Sequence, residues 1–188
     1  MKKLKTLLAD TFKGFNPRRY LDMDEIELES QQNGVNYRLA ERLDIVDMLA
    51  IERDVYDGDV PWTFSHFEHE IVKNNDAFFI VAEVDRKVVG FIGARLTDHG
   101  KNIHISNLAV IRKFQNQGIA TTLISQIVRL MTDLGKVLMT LEVRRDNTKA
   151  QGLYRRNGFQ TDKLMPSYYD DGGDAIWMIK QLRKDAEN

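Results

Sequence analysis

Residues 103–134 constrain this chain more than any other stretch. An apolar, strand-like run from Ile103 to Val110 leads through Gln115-Asn116-Gln117-Gly118-Ile119-Ala120 into an amphipathic helical pattern that reaches Leu134. A strand that becomes a helix through a glycine-containing loop leaves backbone N–H groups unpaired at the helix start. Those donors, together with the helix dipole, form a seat for a phosphate anion. Gly118 lets the backbone approach a ligand, and Ala120 keeps the next turn small. The spacing Gln-x-x-Gly-x-Ala lacks the Lys-Ser/Thr of a P-loop and the GxGxxG of a Rossmann turn, so this is a phosphate grip of another kind.

The periodicity on either side orders the remaining elements. A strand is expected from Val35 to Ala40, and a helix from Leu43 to Val55 with Ile45, Met48, Leu49 and Val55 among charges. Phe64, Phe67 and Ile71 give a second helix over 63–73. Ala77–Val84 and Lys87–Leu96 read as strands joined in a hairpin at Asp85-Arg86, followed by a strand over Asn102–Val110. The helix after the glycine loop ends at Gly135, a residue suited to the C′ position. Lys136–Val143 is a strand, and Asp146 or Asn147 caps a helix that runs to Asn157-Gly158. Phe159–Tyr169 and Ala175–Leu182 close the chain's regular part as strands around Asp170-Asp171-Gly172-Gly173-Asp174. The order β-α-α-β-β-β-α-β-α-β-β implies an α/β protein with a mixed sheet and helices on both faces.

Composition narrows the function classes. A chain of 188 residues, 43% hydrophobic, suffices for one domain with a sizeable core. The formal net charge of −1 gives no long-range steering toward nucleic acid, so no direct nucleic-acid binding is expected. The absence of cysteine excludes disulfides, Cys-ligated zinc and a cysteinyl acyl-enzyme. No apolar run approaches membrane-spanning length, and the basic start Met1–Lys5 precedes an apolar run broken by Asp10 and Lys13. No membrane association and a cytoplasmic location are the expectations.

Residues 1–35 read as an N-terminal extension to a domain over 36–188. Leu4, Leu7, Leu8 and Phe12 fall on one side of a short helical pattern. Asp22 to Glu29 is acidic, and Gln31-Gln32-Asn33-Gly34 is a turn or linker. The segment serves either as a docking arm or as a partly ordered extension packed on the domain. His66, His69 and Glu70 have helical spacing, but no further ligand cluster accompanies them, and no metal site is expected. The Asp170–Asp174 carboxylates suit a hairpin loop better than calcium. Arg144-Arg145 and Arg155-Arg156 are expected to neutralise ligand phosphates or to face water.

Three further segments turn the phosphate loop into a specific resemblance. Asn107-Leu108-Ala109-Val110 precedes it. Leu141-Glu142-Val143-Arg144 ends the next strand, and Asn147, Ala150, Leu153-Tyr154 and Asn157-Gly158-Phe159 mark the helix beyond. Together these resemble the GCN5-related N-acetyltransferases (GNAT), in particular the RimI type, which modifies the N-terminal alanine of ribosomal protein S18. Pro61-Trp62 with Phe64 and Phe67 is similar to that family's substrate-side segment, and Tyr168-Tyr169, Asp174-Ala175 and Met178 to its tail. The resemblance spans about residues 36–182. Ala120 stands where many members carry Gly. Leu164-Met165-Pro166-Ser167 replaces a basic stretch common before the paired tyrosines, so the resemblance does not fix a peptide preference.

The resemblance implies a central, mostly antiparallel twisted sheet, acetyl-CoA as co-substrate, no metal, and a peptide or protein N-terminus, such as that of S18, as acceptor. It places Leu108, Ala109, Val110, Gln115, Asn116, Gln117, Gly118, Ile119, Ala120 and Asn147 against the cofactor. It puts Trp62, Phe67, Tyr168 and Tyr169 along a peptide groove. Acetyl transfer to an amine needs a base for the nitrogen, a donor for the oxyanion and a proton for the departing thiolate. Glu142 is the implied base, and its strand-end position favours a raised pKa. The alternative for Glu142 is an exposed glutamate paired with Arg144 or Arg95. Tyr154 is the implied acid, against a core aromatic sharing a helix face with Ala150 and Leu153. An α-amine, with a pKa near ~8, is an easier nucleophile at neutral pH than lysine near ~10.4. A lysine, polyamine or small-molecule acetyltransferase and a non-catalytic coenzyme A sensor are the competing readings.

Overall fold

The computed structural model describes Leu28 and residues 31–32, 34–58 and 61–182. The leucine pattern at residues 4–12 and the acidic residues between 22 and 29 lie outside the described residues. Leu28 itself packs against the main core.

Eight strands form one sheet in the order β1-β2-β3-β4-β5-β6-β8-β7. They are β1 Gln31–Gln32, β2 Val35–Leu39, β3 Ala77–Val84, β4 Lys87–Thr97, β5 Asn102–Val110, β6 Leu138–Arg144, β7 Gln160–Met165 and β8 Ala175–Gln181. Every neighbouring pair is antiparallel except β5–β6. Helices α1 Ile45–Val55 and α2 Phe64–Glu68 cover one face, where Ile45, Met48, Ile51 and Phe67 meet Phe79, Val81 and Phe91. Helices α3 Ile119–Asp133 and α4 Thr148–Arg156 pack on the other core, with Phe78, Ile80 and Ile92. Alternation along β3 sends Phe78 and Ile80 to one core and Phe79 and Val81 to the other, as a pleated strand buried on both faces must.

Local chemistry sets the boundaries. Asp85 and Arg86 both hold positive φ (48° and 63°), the two-residue hairpin geometry that matches strand twist. Gly135, at φ 68°, closes α3, and the Lys136 amide reaches back to the Met131 carbonyl at 2.8 Å. Three expected elements differ. Gln31–Gln32, expected within a turn or linker, form the edge strand β1 paired with Val35 and Asn36. The helix over 63–73 is α2 followed by a wider π turn, His69–Lys73, in which the Asn74 amide bonds the His69 carbonyl five residues back. The strand expected to reach Tyr169 stops at Met165, because Pro166 carries no N–H and Ser167 turns at φ 49°.

One irregularity positions the site. Between β4 and β5, Gly93 pairs with Asn107 but Ala94 pairs with Ile105, so Ser106 is an extra residue. Such a bulge inverts the side-chain parity of the strand. Ile103 and Ile105 face the α3 core, whereas beyond the bulge it is Leu108 and Val110 that do so. Asn107 and Ala109 are thereby turned toward α1.

Candidate active site

β5 and β6 pair only over Ile103–Ile105 and Met139–Leu141. Beyond those residues the two parallel strands part. A cleft of about 640 Å³ opens there, lined by Leu108, Ala109 and Val110 of β5, the loop and first turn of α3, Val55 of α1, and α4 from its cap Asn147 to Arg156. Strand backbone that leaves its ladder needs partners from elsewhere, which makes the gap suited to an extended, amide-bearing ligand. At its end Gly118 caps α3 at φ 85°, and a Cβ built on it would meet nothing within 4 Å. The left-handed turn fits glycine, and the space in front of the helix amides is free for an anion. Gln115 fixes the loop by donating to the Val110 carbonyl (2.9 Å) and accepting from Lys149 Nζ (2.7 Å). Arg112, Lys149 and Arg156 line the cleft, and among the described residues no carboxylate does. Asn147 caps α4 through the Ala150 amide at 3.0 Å while also lining the cleft, so its two sequence readings coexist.

Beside the cleft, Glu142 of β6 projects from the opposite face of the sheet to the buried Leu141 and Val143. Its carboxylate is held at both oxygens: His104 Nε2 lies 2.8 Å from Oε2, and the Tyr168 hydroxyl donates to Oε1 at 2.9 Å. Each oxygen retains a lone pair for an incoming donor. The His104 ring is itself fixed by Thr140 Oγ1, 2.9 Å from Nδ1, and by stacking on Trp177 with ring centroids 5.5 Å apart. Burial raises the Glu142 pKa, but the His104 and Tyr168 contacts outweigh it, and the net shift is downward. That corrects the raised value expected from sequence. The alternative of an exposed glutamate paired with Arg144 or Arg95 does not hold, since the partners are the buried His104, which no motif marked, and Tyr168.

Tyr154 of α4 lines the cleft and stacks edge-on against Phe159 at 5.7 Å. Its phenol is pushed far above its ordinary pKa by burial, then by the Tyr56 and Tyr169 phenols nearby. On the Glu142 side, Tyr168 and Tyr169 meet edge to face at 5.2 Å, and the Arg144 guanidinium sits 4.7 Å over the Tyr169 ring. Trp62 is half-buried on Phe67 (5.1 Å between centroids).

Several expectations need correction. Phe67 is fully buried, packed between Phe79 and Phe91, and supports Trp62 from behind instead of lining a groove. Gln117 does not line the cleft, because its side chain turns back to the Lys113 carbonyl at 3.1 Å. Of the two readings for Arg144 and Arg145, that of facing water holds: they pair with Asp171 and Asp174 at 2.9 and 3.0 Å, and neither lines the cleft. Only Arg156 of the arginine pairs reaches the cleft. No sequence motif marks Glu52 of α1. Fully buried, it accepts from Asn107 Nδ2 at 2.9 Å and from the Trp62 amide at 3.0 Å. Burial raises its pKa, and those two bonds only partly offset the rise.

Among the described residues no group of three or more His, Cys, Asp or Glu could hold a metal ion, and no helix is long and apolar enough to cross a membrane.

Comparison with known proteins agrees with this geometry. The model of the acetyltransferase (GNAT) family matches residues 45–159. The chain is similar to the N-alpha-acetyltransferase of Sulfurisphaera tokodaii, at 31% identity over 170 residues, covering 84% of this chain and 100% of the relative. It is similar also to the N-alpha-acetyltransferase of Saccharolobus solfataricus, at 32% identity with the same coverage. The ribosomal-protein-S18-alanine N-acetyltransferase of Escherichia coli shares the fold, with a TM-score of 0.72 and 24% identity over 82% of this chain and 97% of that one. A helix-capped anion seat, a parted strand pair and a cationic cleft suit the pyrophosphate and pantetheine of coenzyme A. The chain belongs to the GNAT family and is an acetyl-CoA-dependent N-acetyltransferase.

Proposed function

We propose that the enzyme acetylates the α-amine at the N-terminus of a peptide or protein, by direct attack in a ternary complex. The observation that carries this reading is the Glu142 carboxylate, held between His104 and Tyr168 where β5 and β6 part. Acetyl-CoA supplies an activated acetyl group. Leu108 and Val110 offer it backbone partners, and the amides behind Gly118, with Lys149 and Arg156, offset its phosphate charge. Glu142 faces the acceptor nitrogen, which attacks as the free amine after its ammonium proton has passed to solvent. It takes a proton from nitrogen as attack makes that nitrogen acidic, so a carboxylate of low pKa suffices. His104 keeps that carboxylate ionised and aimed. Tyr154 donates at the departing sulfur. With no cysteine in the chain, a cysteinyl acyl-enzyme has no carrier. The likeness to two N-alpha-acetyltransferases, over 84% of this chain and the whole of each relative, supports an α-amine acceptor. An N-terminal alanine such as that of S18 is the first to try. We also place the start of the catalytic domain near residue 28, somewhat before position 36, because Leu28 packs on the core and Gln31–Gln32 pair with β2. We place the residues before it as an extension, and the enzyme in the cytoplasm, where nascent N-termini and acetyl-CoA meet.

The test is acetyl transfer to peptides beginning with Ala, Ser, Met and Gly, with an internal-lysine peptide and a polyamine as controls. Trp62, Tyr168 and Tyr169 wall the acceptor's approach, so Ala should outperform a large first residue. Lysine should be poorer still, being more fully protonated at pH 7. Trp62→Ala should raise the peptide KM and leave that for acetyl-CoA nearly unchanged. Equal kcat/KM on the Ala, lysine and polyamine acceptors would remove the N-terminal reading and leave the acetyltransferase intact.

A separate expectation concerns the anion seat. Gly118→Glu imposes a side chain on a left-handed backbone and sets a negative charge against two phosphates. The acetyl-CoA Kd should rise at least about tenfold, ~1.4 kcal/mol, by calorimetry on the folded variant. Unchanged affinity would mean that the pyrophosphate lies elsewhere.

A further inference from the structure

Glu52 is the fully buried carboxylate to which the proposed chemistry assigns nothing. It lies on α1, which carries no reacting group, yet its two oxygens join two parts of the site. Oε1 accepts from Asn107 Nδ2 at 2.9 Å, and Oε2 from the backbone amide of Trp62 at 3.0 Å. Asn107 can reach α1 only because the Ser106 bulge has turned it to that face. It is followed at once by Leu108, whose backbone lines the cofactor cleft. Trp62 stands at the entry to α2, and its ring rests on Phe67 and Phe79 at 5.1 and 5.9 Å.

We propose that Glu52 is a positioning residue that clamps the Trp62 wall of the acceptor site to the strand carrying the cofactor. Without it the Trp62 amide and the Asn107 side chain would lose their common acceptor. A buried donor left unmet is costly, so the loop would move to satisfy it. The distance between acceptor wall and thioester is then set by two hydrogen bonds to one rigid helix, not by packing of the loop alone. Since acceptor and thioester must meet in a narrow range of geometries, loosening this clamp should act on acceptor use and spare cofactor binding.

The acceptor side of this inference rests on the wall assigned under the proposed function, so the test includes a readout free of any acceptor. Glu52→Leu fills the same space and removes both acceptor oxygens. Glu52→Gln keeps an oxygen for the Trp62 amide, because the Asn107 amide can turn over and present its own oxygen to the new NH₂ group. Glu52→Leu should raise KM about tenfold for whichever amine the wild type acetylates best, with the acetyl-CoA Kd unchanged. Glu52→Gln should stay within about twofold of wild type, and Asn107→Ala, which removes one anchor, should raise KM about threefold. Acrylamide quenching of Trp62 fluorescence, measured in a Trp177→Phe background, should rise in Glu52→Leu and not in Glu52→Gln. If Glu52→Leu does not fold, Asn107→Ala and Glu52→Gln carry the comparison. Wild-type KM and quenching in the folded Leu and Ala variants would overturn the clamp. So would a Gln variant as impaired as Leu, which would show that charge and not hydrogen bonding matters. A wild type that acetylates only lysine would remove the N-terminal reading, and the same variants on that peptide would still decide the role of Glu52.

Discussion

Replacing Glu142 by Gln should lower turnover on an N-terminal peptide about 10²–10⁴-fold at pH 7, the range typical of a general base. The amide keeps the shape of the side chain and one acceptor for His104 or Tyr168, so cofactor affinity should change little. What disappears is the carboxylate that takes the proton nitrogen sheds as it attacks. The pH dependence follows from the direction of the shift. The Glu142 pKa is lowered in the folded protein: burial raises it, but the His104 and Tyr168 contacts prevail. The group is therefore already ionised throughout the neutral range, and its loss by protonation belongs below its ordinary value near ~4.3. The rise of wild-type kcat/KM between pH 6 and 8 should instead follow the acceptor amine. In Glu142→Gln the deficit should narrow toward pH 9, where more of the amine is free and hydroxide can take the shed proton in place of the carboxylate. His104→Phe separates the two partners. It retains a ring to stack on Trp177 but removes the contact that opposes burial, so the acid limb of the profile should move upward. Near wild-type turnover of Glu142→Gln at pH 7 would show that the base lies elsewhere.

The same residues show how far the sequence could be read. Strand and helix periods located nearly every element, and the phosphate loop could be recognised because its chemistry is local: one glycine, one helix start and the residues between. Glu142 and Tyr154 were legible only through a motif. His104 and Glu52 were not, because their functions depend on parity and on contacts far apart in sequence. An alternating strand from Asn102 to Val110 gives no sign that Ser106 is an extra residue, yet that bulge decides which side chains face α1. Glu52 occupies a helical position beside Ile51 and reads as solvated charge until Asn107 and Trp62 are brought to it. Phe67 failed in the opposite direction. Its neighbours in the motif suggested a groove, but Phe79 and Phe91 of the adjacent strands enclose it completely. The arginine pair at 144–145 likewise could not be assigned to phosphate or carboxylate before the β7–β8 loop brought Asp171 and Asp174 alongside.

Tyr154→Phe should lower turnover about 10²-fold, at the lower end of the range for a positioned acid, with acetyl-CoA affinity and thermal stability close to wild type. The ring is retained, and with it the edge-on contact to Phe159 at 5.7 Å. The phenol pKa decides what kind of acid this is. Burial raises it well beyond the ordinary ~10, with the Tyr56 and Tyr169 phenols adding to the effect. Tyr154 thus remains protonated at every pH at which the enzyme works, and no basic limb should come from it. A thiol has a pKa near ~8.5, so complete transfer from this phenol to the departing thiolate is uphill by more than ~2 kcal/mol. The role left to Tyr154 is a hydrogen bond that strengthens as negative charge gathers on sulfur, with the thiolate taking its final proton from solvent as coenzyme A departs. Two observations distinguish this from a structural part. Unlike Glu142→Gln, the Phe variant should show no recovery as pH rises, since the missing donor has nothing to do with the amine. Its deficit should also shrink with an acetyl donor whose leaving thiol is more acidic, because that sulfur needs less help. A deficit that ignores leaving-group acidity, or a variant with wild-type turnover, would remove Tyr154 from the reaction and leave it a core aromatic on α4.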